Sequence, residues 1–140
     1  MEKHNFDITA LLEAAFLYRE KAYAPYSGFS VGAALLTQDG SIFGGCNIEN
    51  AAYSPTLCAE RTAFAKAISE GQRHFKALAV VGGPQGQAPV DFIPPCGVCR
   101  QWLAEFCSAD MPVFLAKSME EYQSYTCAEL LPHSFSPHML

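Results

Sequence analysis

The stretch that decides the fold is residues 77–116, ALAVVGGPQGQAPVDFIPPCGVCRQWLAEFCSADMPVFLA. Ala77 to Val81 is a short apolar run of the length and composition of a buried strand, and the glycines and proline of Gly82-Gly83-Pro84 bound it as a turn. A turn-rich loop follows to Pro95, a helical pattern runs from about Cys96 to Cys107, and Pro112 to Ala116 is strand-like again. Upstream, Cys58 to Glu70 is rich in Ala and other good helix formers and is closed by Gly71 as a C-cap. Before it, Phe29 to Thr37 and Ile42 to Ile48 form two strands joined through Asp39-Gly40, a hairpin signal. The segment from Asp7 places Ile8, Leu11, Leu12, Ala15 and Phe16 on one helical stripe, with Asp7 as N-cap and Phe6 stapled to Leu11. Downstream, Tyr122 to Thr126 suits a last strand and Ala128 to Leu131 one helical turn. Helix, hairpin, helix, strand, helix, strand is the order of an α/β protein whose mixed sheet lies between helices.

The 140 residues, half of them hydrophobic, fit a single domain over 1–140. With a net charge of −5 and nine Lys and Arg, the chain lacks the clustered basic surface that a phosphate backbone requires, so nucleic acid is not an expected partner. A small uncharged ligand needs no such field. No apolar run has the roughly 18 residues of a membrane span, and the N-terminus lacks the order of a signal peptide, so a cytoplasmic location is expected. In a reducing compartment, six closely used cysteines point to metal or chemistry before disulfides.

Cys96-Gly97-Val98-Cys99 opens the third helix directly after Pro94-Pro95. The exposed N–H groups and dipole of a helix start favour thiolate, so two metal-competent sulfurs are presented together. The same C-x-x-C could serve a redox centre or be plain buried cysteine. Cys58-Ala59-Glu60 likewise opens a helix and sets a carboxylate two residues beyond a third sulfur. Three protein ligands with a fourth position open are the pattern of catalytic zinc, whereas structural zinc closes its shell with four. A ligand-x-Glu followed by P-C-x-x-C is the signature of zinc deaminases, in which the Glu moves protons and is not a ligand. Cys46, Cys107 and Cys127 have no partner at metal spacing and are assigned to the core. The four histidines show no ligand spacing either.

The sequence resembles the short, all-cysteine class of cytidine deaminase. Besides the two metal motifs, Phe29-Ser-Val-Gly-Ala-Ala, Gly45-Cys-Asn-Ile-Glu-Asn-Ala-Ala-Tyr53, Cys58-Ala-Glu-Arg-Thr62, Pro95-Cys-Gly-Val-Cys-Arg-Gln101 and Leu130-Leu-Pro-x-x-Phe135 match that family in order and spacing. The resemblance implies a three-layer α/β/α fold with a five-stranded mixed sheet. It makes Cys58, Cys96 and Cys99 ligands of one Zn²⁺ per subunit, and Glu60 the proton shuttle. It places Asn47 and Glu49 on the ribose hydroxyls, Phe29 on the pyrimidine and backbone near Ala59 on the base edge. Tyr53 would act near the sugar and at subunit contacts, and Phe135 would reach a neighbouring subunit's site in a homotetramer. Arg61 would donate to ligand sulfurs and offset their charge.

The implied reaction is hydrolysis of cytidine and deoxycytidine to uridine and deoxyuridine, a step of pyrimidine salvage. Zinc can lower the pKa of water from about 16 towards about 7 and supply the nucleophile. Pro55, Pro94 and Trp102 depart from the family's pattern near the site. Three rival readings remain: a deaminase of a related aminopyrimidine nucleoside such as blasticidin S, a polynucleotide deaminase, and a non-catalytic zinc-binding module.

Overall fold

The structure, a computed structural model, describes residues 4–140. Asp7 caps the first helix as expected, its carboxylate accepting the Ala10 N–H, and α1 runs over Ile8–Arg19. Strands β1 (Phe29–Thr37) and β2 (Ile42–Cys46) form the hairpin, and α2 covers Ala59–Ser69 with Cys58 as its N-cap. The chain continues through β3 (Phe75–Pro84), α3 (Gly97–Phe106, N-cap Cys96), β4 (Pro112–Ala116) and β5 (Tyr122–Thr126) to the short helix α4 (Cys127–Leu130).

The sheet has the order β2-β1-β3-β4-β5. All neighbours are antiparallel except β3 and β4, which are parallel because α3 carries the chain across between them. Alternation along β1 feeds both faces. Ala33 and Leu35 pack with Ala63 and Phe64 of α2 and Leu103 of α3, while Ala34 and Leu36 pack with Leu11, Leu12 and Ala15 of α1. The architecture is therefore three-layer α/β/α with a five-stranded mixed sheet. Gly45 brings α2 close to β2. A Cβ there would lie 2.5 Å from the Ala59 carbonyl oxygen and from the Ala63 nitrogen.

Three expectations are corrected. Gly82-Gly83-Pro84 is not a turn but the end of β3, paired with Val31, Ser30 and Phe29 of β1. These glycines serve close approach: a Cβ on Gly83 would stand 3.0 Å from Pro89 Cα, and one on Gly82 would crowd Val31, Phe29 and Ile93. Second, β2 ends at Cys46, and Ile48 keeps only isolated bridges to Tyr23 and Leu57. Asn47 and Glu49 thus lie beyond the strand. Third, of the three cysteines assigned to the core, Cys127 is buried there and Cys107 packs against it half-buried, but Cys46 belongs to neither core cluster and donates its thiol to the Lys21 carbonyl at 3.5 Å.

Arg19 occupies the continuation of the apolar stripe of α1 and is buried. Its guanidinium donates to the carbonyls of Ser30 (3.2 Å), Pro84 (2.8 Å) and Gln87 (2.7 Å), joining the start of β1 to the end of β3. Arg19→Met fills the space but leaves three carbonyls without their donor. We expect a loss of about 3 kcal/mol of unfolding free energy in urea. A loss below about 0.5 kcal/mol, the range of neutral surface changes, would show that the arginine is not a structural tie.

Candidate active site

Two helix starts face each other at one end of the sheet. Cys58 and Cys96 are the N-caps of α2 and α3, in extended conformation, and neither caps its helix with its own side chain. Their sulfurs are therefore turned to each other, 3.6 Å apart. Cys99, one turn into α3, completes a group whose three sulfurs all lie within 4.8 Å of one another. Tetrahedral zinc with bonds of about 2.3 Å requires sulfurs about 3.8 Å apart, so the donor set fits one Zn²⁺ per subunit. The thiols interact strongly: a hydrogen bond from Cys99, helped by Arg61 and Cys96 against burial, pulls the Cys58 thiol down, and the same hydrogen bond and burial push Cys99 up.

Glu60 is 4% exposed. Burial, the largest influence, pushes its carboxyl up to about 7; its own backbone N–H and Arg61 oppose the shift, and the Cys58 charge adds to it. Arg61, on the next residue, directs Nη2 to the Cys58 sulfur at 3.4 Å and to the Thr56 carbonyl at 3.5 Å. Burial works against its charge, but the sulfurs of Cys58 and Cys99 more than offset this and keep the guanidinium cationic. Its Nε is buried with no hydrogen-bond partner among the described residues. Arg61→Ala is expected to lower kcat roughly 10- to 100-fold, with KM little changed, because the change reaches the sulfurs and not the ligand cleft. Steady-state kinetics with a normal kcat and a raised KM would refute this.

Beside the sulfurs opens a cleft of about 360 Å³, within the size range of small-molecule pockets. Phe29, Asn47, Glu49, Cys58, Ala59, Glu60 and Cys96, all named from the sequence, line it. Ala59 is the first residue of α2, where backbone N–H groups have no acceptor within the helix. Asn47 and Glu49 reach the cleft although no strand carries them there. Tyr53 instead lines an adjoining hollow with Tyr26, Glu49 and Asn50, is 73% exposed and has φ 63°. Phe135 lies outside the cleft and is 61% exposed, its carbonyl accepting from Gln101 Nε2 at 2.7 Å. Of the departures, Pro94 lines the cleft, Pro55 is exposed, and Trp102 packs against Phe64 and Phe106.

Ser27, Val31, Thr56, Leu57 and Ile93, not singled out as site residues from the sequence, also line the cleft. Ser27 carried a signal, standing beside Gly28 two residues before Phe29 in a polar loop.

A three-sulfur centre with a buried carboxyl beside it, on an α/β/α sheet, defines the class of zinc-binding deaminases. The family model described as the cytidine and deoxycytidylate deaminase zinc-binding region matches residues 7–115, and the chain belongs to that family. A curated protein named cytidine deaminase from Sporosarcina psychrophila is 54% identical over 130 residues, covering 93% of this chain and 92% of its own. One of the same name from Halalkalibacterium halodurans is 50% identical over 130 residues, covering 93% and 95%. The crystal structure of cytidine deaminase from Burkholderia pseudomallei superimposes with a TM-score of 0.84 at 46% identity, covering 93% of this chain and all of that one.

Proposed function

We propose that this chain, as one catalytic domain over residues 1–140, hydrolyses cytidine and deoxycytidine to uridine and deoxyuridine in cytoplasmic pyrimidine salvage. The observation that carries the proposal is the buried Glu60 carboxyl beside three convergent sulfurs at the end of a nucleoside-sized cleft. When bound by those sulfurs, zinc supplies an acidified water as nucleophile. Glu60 takes the proton released from water on attack at C4 and gives it to ring N3; it then takes the proton of the new C4 hydroxyl as the C4=O bond forms and passes it to the amino group, so that the C4–N bond breaks and ammonia leaves. Phe29 packs on the pyrimidine, the first N–H groups of α2 at Ala59 hold the base edge, and Asn47 and Glu49 hold the sugar hydroxyls. Arg61 tempers the charge of the sulfurs.

Tyr53 and Phe135 are exposed and are not part of the cleft lining of their own chain, Tyr53 standing in the adjoining hollow, which suits roles across subunit boundaries. A homotetramer with sites completed at its interfaces is the assembly proposed. No helix among the described residues is long and apolar enough to cross a membrane, and the acidic charge gives no support to a nucleic-acid partner.

The test compares cytidine with free cytosine. A site whose buried polar groups are built to pair with hydroxyls rejects the ligand that lacks them, so kcat/KM for cytosine should be lower by at least about 10³-fold. Equal values would refute the sugar-binding assignment. Zinc without turnover on any nucleoside would point to a non-catalytic module, and turnover confined to blasticidin S or to single strands would redirect the substrate assignment. The relatives at 54% and 50% identity give none of these rivals better support than cytidine.

A further inference from the structure

Glu49, Ser27, Phe29 and Asn47 form one continuous hydrogen-bonded chain along the wall of the cleft. Ser27 Oγ accepts the Phe29 N–H at 3.0 Å and contacts the Glu49 carboxylate at Oε2. A backbone N–H only donates and a carboxylate only accepts, so the direction of the hydroxyl is fixed: its proton points to Glu49. Glu49 Oε1 also accepts the backbone N–H groups of Tyr26 (3.0 Å) and Ser27 (3.1 Å). The Ser27 hydroxyl is the main influence holding the Glu49 carboxyl below its ordinary value. On the far side of Phe29, Asn47 Nδ2 donates to the Phe29 carbonyl at 2.8 Å, and its Oδ1 accepts the Val31 N–H at 2.8 Å. Both peptide groups of Phe29 are thus held by the residues that stand on the sugar side of the cleft.

We infer that Ser27 is a positioning residue: by linking the Glu49 carboxylate to the Phe29 backbone, its hydroxyl makes sugar binding and base stacking a single preorganised unit. The inference rests on the proposed roles of Glu49 and Phe29. A carboxylate offers about four acceptor positions. Three on Glu49 are filled from within the chain, which leaves one, on Oε2, for a single sugar hydroxyl. Asn47 keeps one N–H and one lone pair beyond its two backbone bonds. The wall is therefore set for a small, countable number of hydroxyl contacts, and Ser27 determines which acceptor position on Glu49 stays open. Without the serine hydroxyl, the carboxylate keeps its backbone donors but is free to turn, and the Phe29 N–H loses its acceptor.

The test is a double-mutant cycle on the full-length, zinc-loaded protein, using Ser27→Ala, Glu49→Ala and the pair, with cytidine kinetics, zinc content and thermal melting for each. Ser27→Ala is expected to raise KM about tenfold while kcat stays within about twofold and zinc content and melting are unchanged. Ser27→Thr, which restores a hydroxyl, should recover most of the KM. In the Glu49→Ala background the further effect of Ser27→Ala should shrink below about threefold, because the group it orients is gone. If Ser27→Ala leaves KM unchanged, or raises it by the same factor in both backgrounds, Ser27 does not act through Glu49 and the inference is overturned while the sugar-binding reading stands. If Glu49→Ala alone leaves KM unchanged, the sugar-binding reading itself fails and this inference with it.

Discussion

Glu60→Gln should retain its full complement of zinc and lose roughly 10²- to 10⁴-fold in kcat on cytidine. The amide has the shape of the carboxyl and fits the same buried space, so the fold has no reason to change. What it lacks is a site that can accept a proton and return it. At 4% exposure no solvent-borne base easily takes over. Metal analysis and an absorbance assay on wild type and variant together decide the matter. Activity within about tenfold of wild type would remove Glu60 from the proton transfers, and loss of zinc along with activity would make it a metal-site residue of another kind.

Cys99→Ala should abolish turnover by removing the metal. Cys99 is 1% exposed and belongs to the one group of three metal-competent side chains found among the described residues. Two remaining thiolates leave an incomplete shell, and zinc held that way is expected to dialyse out, with kcat/KM falling at least about 10³-fold. Cys107→Ser is the control, since Cys107 sits at the far end of α3 beside Cys127 and outside the sulfur cluster. It should keep both zinc and activity. Full zinc occupancy in Cys99→Ala would mean that the sulfur cluster is not where the metal resides.

The metal motifs were legible because their information is local: Cys58 and Cys96 each begin a helix, and a helix start is readable from the few residues around it. The order of elements was legible for the same reason, including β4 and β5 to the residue. Gly82-Gly83 misled because glycine marks both turns and places where a side chain has no room, and only the neighbouring Pro89 and Phe29 distinguish the two. The strand expected over Ile42 to Ile48 stops at Cys46, short of Asn47 and Glu49. They reach the cleft because a loop returns them there, pinned by Val31, Phe29 and Ser27. Arg19 could have been singled out, since it falls on the spacing of Leu11, Leu12 and Ala15, where a charge is unexpected. Its acceptors could not, because two of them lie 65 and 68 positions away. The polar loop marks Ser27, but its pairing is hidden likewise, as Glu49 lies 22 positions on.

The contact at Gly45 sets a limit on how this scaffold adapts. With no space for a methyl group between β2 and α2, the helix bearing Glu60 cannot retreat to admit a bulkier ligand. Any widening of substrate range falls to the rest of the lining, at Phe29 where β1 begins and in the loop around Ile93-Pro94. Libraries aimed at new substrates belong there, and substitutions beneath α2 are expected to return misfolded chains in place of altered selectivity.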